Sequence, residues 1–143
     1  TAGKAKELGL EVLAEIKGWG FVGNNPAHMG ISPALAAPLA LQRAGVSFDA
    51  LDAIELHEPF AATILSIFKV GKEKFGHDWQ AKNESGALNP NGGSIAIGHP
   101  LGATGGRLML NLVHSLRRTK GRYGMLAACA GGGMGGALVV ERR

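Results

Sequence analysis

The sequence predicts an α/β fold, a sheet layered with crossover helices. Three observations carry that prediction. Short strand-like runs alternate with longer helix-like apolar segments along the chain. Proline and glycine punctuate the starts and ends of the helical segments. The 143 residues, 45% of them hydrophobic, suffice for the core of one domain.

A short amphipathic helix is expected at about Ala2–Leu8, followed by a strand over Val12–Trp19. The next helix takes Ser32 as N-cap, Pro33 at its first position, the apolar run Ala34–Leu41 and Gly45 as its stop. A strand over Ala53–His57 leads to a helix that begins at Pro59 and stops at Gly71. The polar, aperiodic stretch His77–Ser85 reads as a loop or insertion. A third long helix begins near Ala103–Thr104, carries Leu108, Met109, Leu110, Leu112, Val113 and Leu116, and stops by Gly121. Strands Tyr123–Ala128 and Ala137–Glu141 close the chain as a hairpin-like return. The second and third long helices read as apolar around most of their circumference, which calls for burial on several sides. A chain of this size cannot cover them alone, so it reads as part of something larger.

Composition narrows the function classes. Mean hydropathy is +0.09, and no stretch reaches the about 18 uncharged apolar residues of a membrane-spanning helix. A single cysteine excludes an intrachain disulfide. The net charge of +4 comes mostly from helix ends and the tail: Arg117, Arg118, Lys120, Arg122, Arg142 and Arg143. Cations there complement helix dipoles, and Tyr123 is the one aromatic among them, so no nucleic-acid partner is expected. The chain starts at Thr1 with no initiator methionine, so a targeting signal at a true N-terminus is not visible.

Chemistry concentrates in two glycine-dense runs. NGGSIAIGHPLGATG, Asn91–Gly105, frames His99; CAGGGMGG, Cys129–Gly136, holds the cysteine. Ligands in open α/β sheets gather beyond the carboxyl ends of strands. His57 and Cys129 end predicted strands and His99 precedes a helix, so parallel strands bring all of them to one edge. Cys129 reads either as a small buried hydrophobe or as a reactive thiol whose following glycine N–H groups cradle an oxyanion. His99 reads either as a loop histidine satisfied by backbone or as a neutral base beside a helix N-terminus. HEPF at His57–Phe60 lacks the second histidine of a zinc HExxH motif, so no metal is expected. Gly18–Gly23 fits GxGxxG by letter, but Asn24-Asn25-Pro26 follows in place of a helix, which removes the phosphate site. Gly131, Gly133 and Gly136 fit the same pattern and lack a following helix as well. His28, His77 and His114 carry no motif and read as surface or packing residues.

Taken together, HEPFAA at His57–Ala62, NGGSIAIGHPLGATGGR at Asn91–Arg107 and CAGGGMGGA at Cys129–Ala137 resemble the signature blocks of the C-terminal half of thiolases. GWGFVGNNPAHMGISP at Gly18–Pro33 fits as well, and the resemblance runs from about Leu13 to Arg142, after a preceding helix or linker over residues 1–12. It implies a thiolase-like layered fold, αβαβα in the full enzyme, with one half present here. It also implies transfer of acyl groups between 3-ketoacyl-CoA and CoA, by thiolytic cleavage or reverse Claisen condensation. Coenzyme A is then a substrate, and no cofactor is expected.

By matching motif, His99 corresponds to the histidine that activates a nucleophilic cysteine and donates to the thioester oxyanion. Cys129 corresponds to the acid/base cysteine, and Gly131 to a backbone N–H donor of the second oxyanion hole. His57 stands where many thiolases carry the asparagine of NEAF, which holds a catalytic water; histidine there resembles the β-oxidation branch, including trifunctional-complex thiolases. Glu58 is expected to support His57 from behind. Pro59 replaces the usual alanine and reads as a helix-start variant.

The nucleophilic cysteine belongs to the family's N-terminal half, so the chain alone is expected to be inactive. A homo-oligomer is expected. So is a cytoplasmic location, or the mitochondrial or peroxisomal matrix in a eukaryote. A non-catalytic subunit that binds CoA or a partner half is the alternative. A ketoacyl synthase is disfavoured by the cysteine of CAGGG.

Overall fold

The computed structural model describes residues 1–143. Its elements are α1 (Ala2–Glu7), β1 (Ala14–Gly23), a 3₁₀ segment (Pro26–Ile31), α2 (Ser32–Ala44), β2 (Leu51–Leu56), α3 (Ala61–Phe75), α4 (Trp79–Glu84), α5 (Ser94–Ile97), α6 (Thr104–Thr119), β3 (Tyr123–Ala130) and β4 (Met134–Arg142). The strands form one mixed sheet in the order β1-β4-β3-β2. β2 and β3 run parallel, while β4 is antiparallel to both β3 and β1.

Helices cover both faces of this sheet. On one face α2 lies across β1, β4 and β3, with α3 against α2. The core there joins Ala34, Ala37, Ala40 and Leu41 of α2 to Ile54, Leu56, Met125, Ala127 and Val139. On the other face α6 packs Leu108, Leu112 and Leu116 onto Ala53, Leu126 and Val140. Spacing of four residues puts those leucines on one stripe.

Glycine and alanine make the α2 contact possible. A Cβ at Gly18 would stand 2.5 Å from the carbonyl oxygen of Ala40, and one at Gly20 would stand 2.8 Å from that of Ala36. The GxGxxG letters of Gly18–Gly23 therefore belong to a strand pressed against a small-residue helix, and the phosphate-loop reading fails on structure as well.

Several expected elements shift. α2 begins at Ser32 with Ile31 as its cap, and the Ser32 hydroxyl donates to Gly133 O at 3.2 Å. Gly45 ends the helix, as expected, and does so in the left-handed conformation. α3 starts at Ala61, two residues past Pro59, and runs through Gly71 to a left-handed Gly76. Gly71 is internal because Trp79 packs on it: a Cβ there would lie 2.3 Å from Trp79 Cδ1.

The stretch His77–Ser85 is no loop. Asp78 caps α4 by accepting from Ala81 N at 3.0 Å, and Trp79 is fully buried. The all-round apolar reading of the second and third long helices is also corrected. α6 interleaves Arg107, Asn111, His114 and Arg117 with its leucines, and Leu65 of α3 faces outward. The enclosed helix is α2, where Ser32, Pro33, Ala34, Ala36, Ala37, Ala40 and Leu41 are all buried.

The basic residues reach acids across elements. Arg117 pairs with Glu11 at 3.2 Å, Arg122 with Glu141 at 2.8 Å, and Arg143 with Glu15. Arg118 donates to Asn91 Oδ1 at 3.0 Å. No helix is long and apolar enough to cross a membrane.

Candidate active site

The parallel pair β2–β3 sets the stage. Leu56 stands opposite Ala127, and the His57 N–H donates to Ala127 O at 2.9 Å, carrying the ladder one residue past β2. His57 and Cys129 therefore leave the same edge of the sheet. Cys129 sits inside β3, paired with Gly135 across the hairpin, rather than after a strand ending at Ala128.

His99 joins His57 directly. Their ring centroids are 4.2 Å apart, with an interplanar angle of 44°. His57 is buried and His99 exposed, so one ring forms the floor under the other. The loop bearing His99 is pinned by residues around it. The Glu58 carboxylate accepts from Asn89 Nδ2 at 2.5 Å and from Ile95 N at 3.1 Å. Gly93 permits this approach, since a Cβ there would lie 2.2 Å from Glu58 Oε2.

Asn89 completes the anchor. In a left-handed conformation (φ 47°) it exchanges side-chain hydrogen bonds with Leu56 N and O at 2.7 and 2.9 Å, and its own N–H donates to Ile54 O at 2.8 Å. It serves β2 as a one-residue strand, a use that Asn tolerates because its short amide bonds locally.

Helix α6 supplies the remaining supports. Thr104 Oγ1 lies 2.7 Å from His99 Nδ1 and donates to Pro100 O at 3.1 Å. Arg107 donates to Gly98 O at 2.7 Å and to Ser94 Oγ at 3.1 Å, and Ser94 Oγ is 2.8 Å from His57 Nδ1. Asn89, Ser94, Thr104 and Arg107 were not singled out by sequence reasoning. Ser94 and Thr104 lie inside the glycine-rich run that was, and Arg107 follows it by two residues, so hydroxyls and a guanidinium flanking a framed histidine were the available signal.

Electrostatics follow from burial. Desolvation, then the neighbouring His99 and Arg107, push the His57 pKa below its ordinary value, with Glu58 opposing; the ring is neutral at pH 7. Burial pushes the Cys129 thiol up, so it holds its proton at neutral pH.

The turn after Cys129 splits into two roles. Gly133 is held by packing, because a Cβ there would lie 2.1 Å from Asn24 O, and Gly135 abuts Ser32 in the same way. Gly131 opens the exposed part of the turn, and a Cβ added there would meet nothing within 4 Å, so packing does not explain it.

Behind the site lies Glu55, fully buried, with neither carboxylate oxygen in an aligned hydrogen bond. Burial raises its pKa to about 7; Arg107 and Asn111 offset only part of that. The folded state thus holds a proton that an unfolded chain releases near 4.5. Stability from this group is full below that value, falls as pH rises through the window up to about 7, and is flat above. Glu55→Gln is therefore expected to raise the melting temperature more at about pH 8 than at about pH 5. Equal shifts in thermal melts at both values contradict the assignment.

With histidines and thiol at one edge of an α/β sheet, the family model "Thiolase, C-terminal domain" matches residues 10–142, and the chain belongs to that family. Among relatives, the acetyl-CoA acetyltransferase of Cupriavidus necator is 43% identical over 143 residues, covering 100% of this chain and 34% of that protein. The 3-ketoacyl-CoA thiolase of Escherichia coli (strain SMS-3-5) is 41% identical over 149 residues, covering 99% and 34%. The crystal structure of human mitochondrial 3-ketoacyl-CoA thiolase superposes with a TM-score of 0.89 at 36% identity, covering 100% of this chain and 34% of that one. The same human enzyme in complex with CoA gives 0.87 at 37% identity, covering 99% and 33%. The chain thus spans about a third of the length of the relatives it matches.

Proposed function

We propose that this chain provides the acid, base and oxyanion-donor groups of a thiolase site, which transfers acyl groups between 3-ketoacyl-CoA and CoA. The observation that carries the reading is the His57–His99 ring pair, 4.2 Å apart, at the carboxyl edge from which Cys129 also projects. A thiolytic cycle needs a thiolate to attack the 3-keto carbon. Cys129 is the only cysteine here and keeps its proton, which suits it to acid work and not to attack. The nucleophile then comes from the two-thirds of the relatives' length that this chain does not span.

His99 takes the nucleophile's proton, the thiolate adds to the keto carbon, and the developing oxyanion meets donors on the His99–His57 side. The Cα–Cβ bond breaks, its electron pair stays on the α-carbon, and Cys129 protonates that carbon to release acetyl-CoA. CoA then gives its thiol proton to the Cys129 thiolate and its sulfur adds to the acyl carbon; the bond from that carbon to the nucleophile's sulfur breaks, and the departing thiolate takes its proton back from His99. Gly131 N–H serves the oxyanion of the enolate. Coenzyme A enters as a substrate, and no step calls for a metal or a resident cofactor.

Support for a covering segment comes from the surface: Trp19, Phe21 and Met134 expose apolar side chains on strands β1 and β4 that α6 leaves uncovered. The test is reconstitution. Acetoacetyl-CoA thiolysis is expected to be absent with this chain alone and to appear on mixing with the nucleophile-bearing segment of a thiolase. Turnover by the chain alone, or a stable but inactive complex, overturns the reading.

A further inference from the structure

We infer that Thr104 and Ser94 are positioning residues that lock His99 and His57 into opposite tautomers, so that the two adjoining rings offer one proton acceptor and one proton donor to the site. A hydroxyl has one proton to give. Thr104 Oγ1 gives its proton to Pro100 O at 3.1 Å while standing 2.7 Å from His99 Nδ1. Both bonds form at once only when His99 carries its proton on Nδ1 and donates it to Thr104. Nε2 of His99 is then left with a bare lone pair. Thr104 is buried in the first turn of α6, so water does not compete for these bonds.

Ser94 imposes the reverse on His57. Its buried Oγ already accepts from Arg107 Nη2 at 3.1 Å, and the one acceptor within reach of its own proton is His57 Nδ1, at 2.8 Å. The guanidinium polarises the hydroxyl toward donating. His57 Nδ1 therefore accepts, and the neutral ring carries its proton on Nε2. Arg107 also holds Gly98 O at 2.7 Å, so one side chain ties the residue before His99 to the serine that orients His57.

The inference deepens the acyl-transfer reading and rests on it only for what the two nitrogens serve: His99 Nε2 accepts the proton of a nucleophile, and His57 Nε2–H donates to an oxyanion. The tautomers themselves are measurable without turnover. Long-range ¹H–¹⁵N correlation on the histidine-labelled chain, at a pH where both rings are neutral, is expected to show His99 as Nδ1–H and His57 as Nε2–H. In Thr104→Val His99 is expected to lose that preference, and in Thr104→Ser to keep it; Ser94→Ala is expected to release His57 and leave His99 unchanged. In the reconstituted enzyme, Thr104→Val is expected to lower kcat roughly 10²-fold with KM nearly unchanged, and Thr104→Ser to restore most of it. His99 as Nε2–H in the unaltered chain, or an unchanged tautomer in Thr104→Val, overturns the inference whatever the activity assay gives. Correct tautomers with no turnover in any reconstituted form sink the acyl-transfer reading and leave the tautomer assignment standing.

Discussion

Cys129→Ser is expected to slow thiolysis in the reconstituted enzyme by roughly 10²–10⁴-fold, the range of a lost general acid or base. The half-buried thiol is held protonated by desolvation, and the proposed role has it cycle through thiolate during turnover. A serine hydroxyl in the same place donates a hydrogen bond and cannot release its proton on the same terms. Folding is expected to survive, because serine is close to isosteric and Cys129 pairs with Gly135 through backbone alone. Steady-state kinetics with matched melting curves check this. A rate within a few-fold of the unaltered enzyme would falsify the proton-shuttle role.

His99→Asn is expected to strike an earlier step. The ring lies exposed beside buried His57, held at Nδ1 by Thr104, and its other nitrogen is the group proposed as the base that prepares the nucleophile. Asparagine keeps a donor at the site and removes the base. Acylation is expected to slow by roughly 10²–10⁴-fold, and alkylation of the nucleophilic cysteine by iodoacetamide to slow in parallel at neutral pH. Alkylation at the unaltered rate removes His99 from the activation step. The two variants therefore separate: Cys129→Ser leaves alkylation of the nucleophile intact, and His99→Asn does not.

Much of the fold was legible because its signals are local. Gly45 stops α2 where a glycine stop was expected, and the hairpin return around CAGGG lies where the turn glycines put it. The readings that failed depended on neighbours distant in sequence. Gly71 resembles a helix stop, yet it is the seat of Trp79, and His77–Ser85 looks too polar for structure until that indole buries itself. Ser32 resembles an N-cap, yet its hydroxyl turns toward Gly133, 101 residues away. Counting apolar letters in α6 hid the four-residue stripe that shows one face buried and the other free.

The candidate site divides in the same way. The sequence by itself determined which groups were available: His57, His99, Cys129, and glycines that let backbone come close to them. It also determined the family, because those blocks keep their order. Only the tertiary structure decided that β2 and β3 run parallel, which brings His57 to the edge occupied by Cys129 and lets the His99 ring pack against it. Only the tertiary structure showed what holds the rings, namely Ser94, Thr104, Arg107, Asn89 and Glu58. The physical reason is that a hydrogen bond is set by distance and angle between atoms, and neither is written in residue spacing. A glycine's freedom is local and can be read from a sequence; a partner 2.7 Å from a ring nitrogen exists only once the chain has folded.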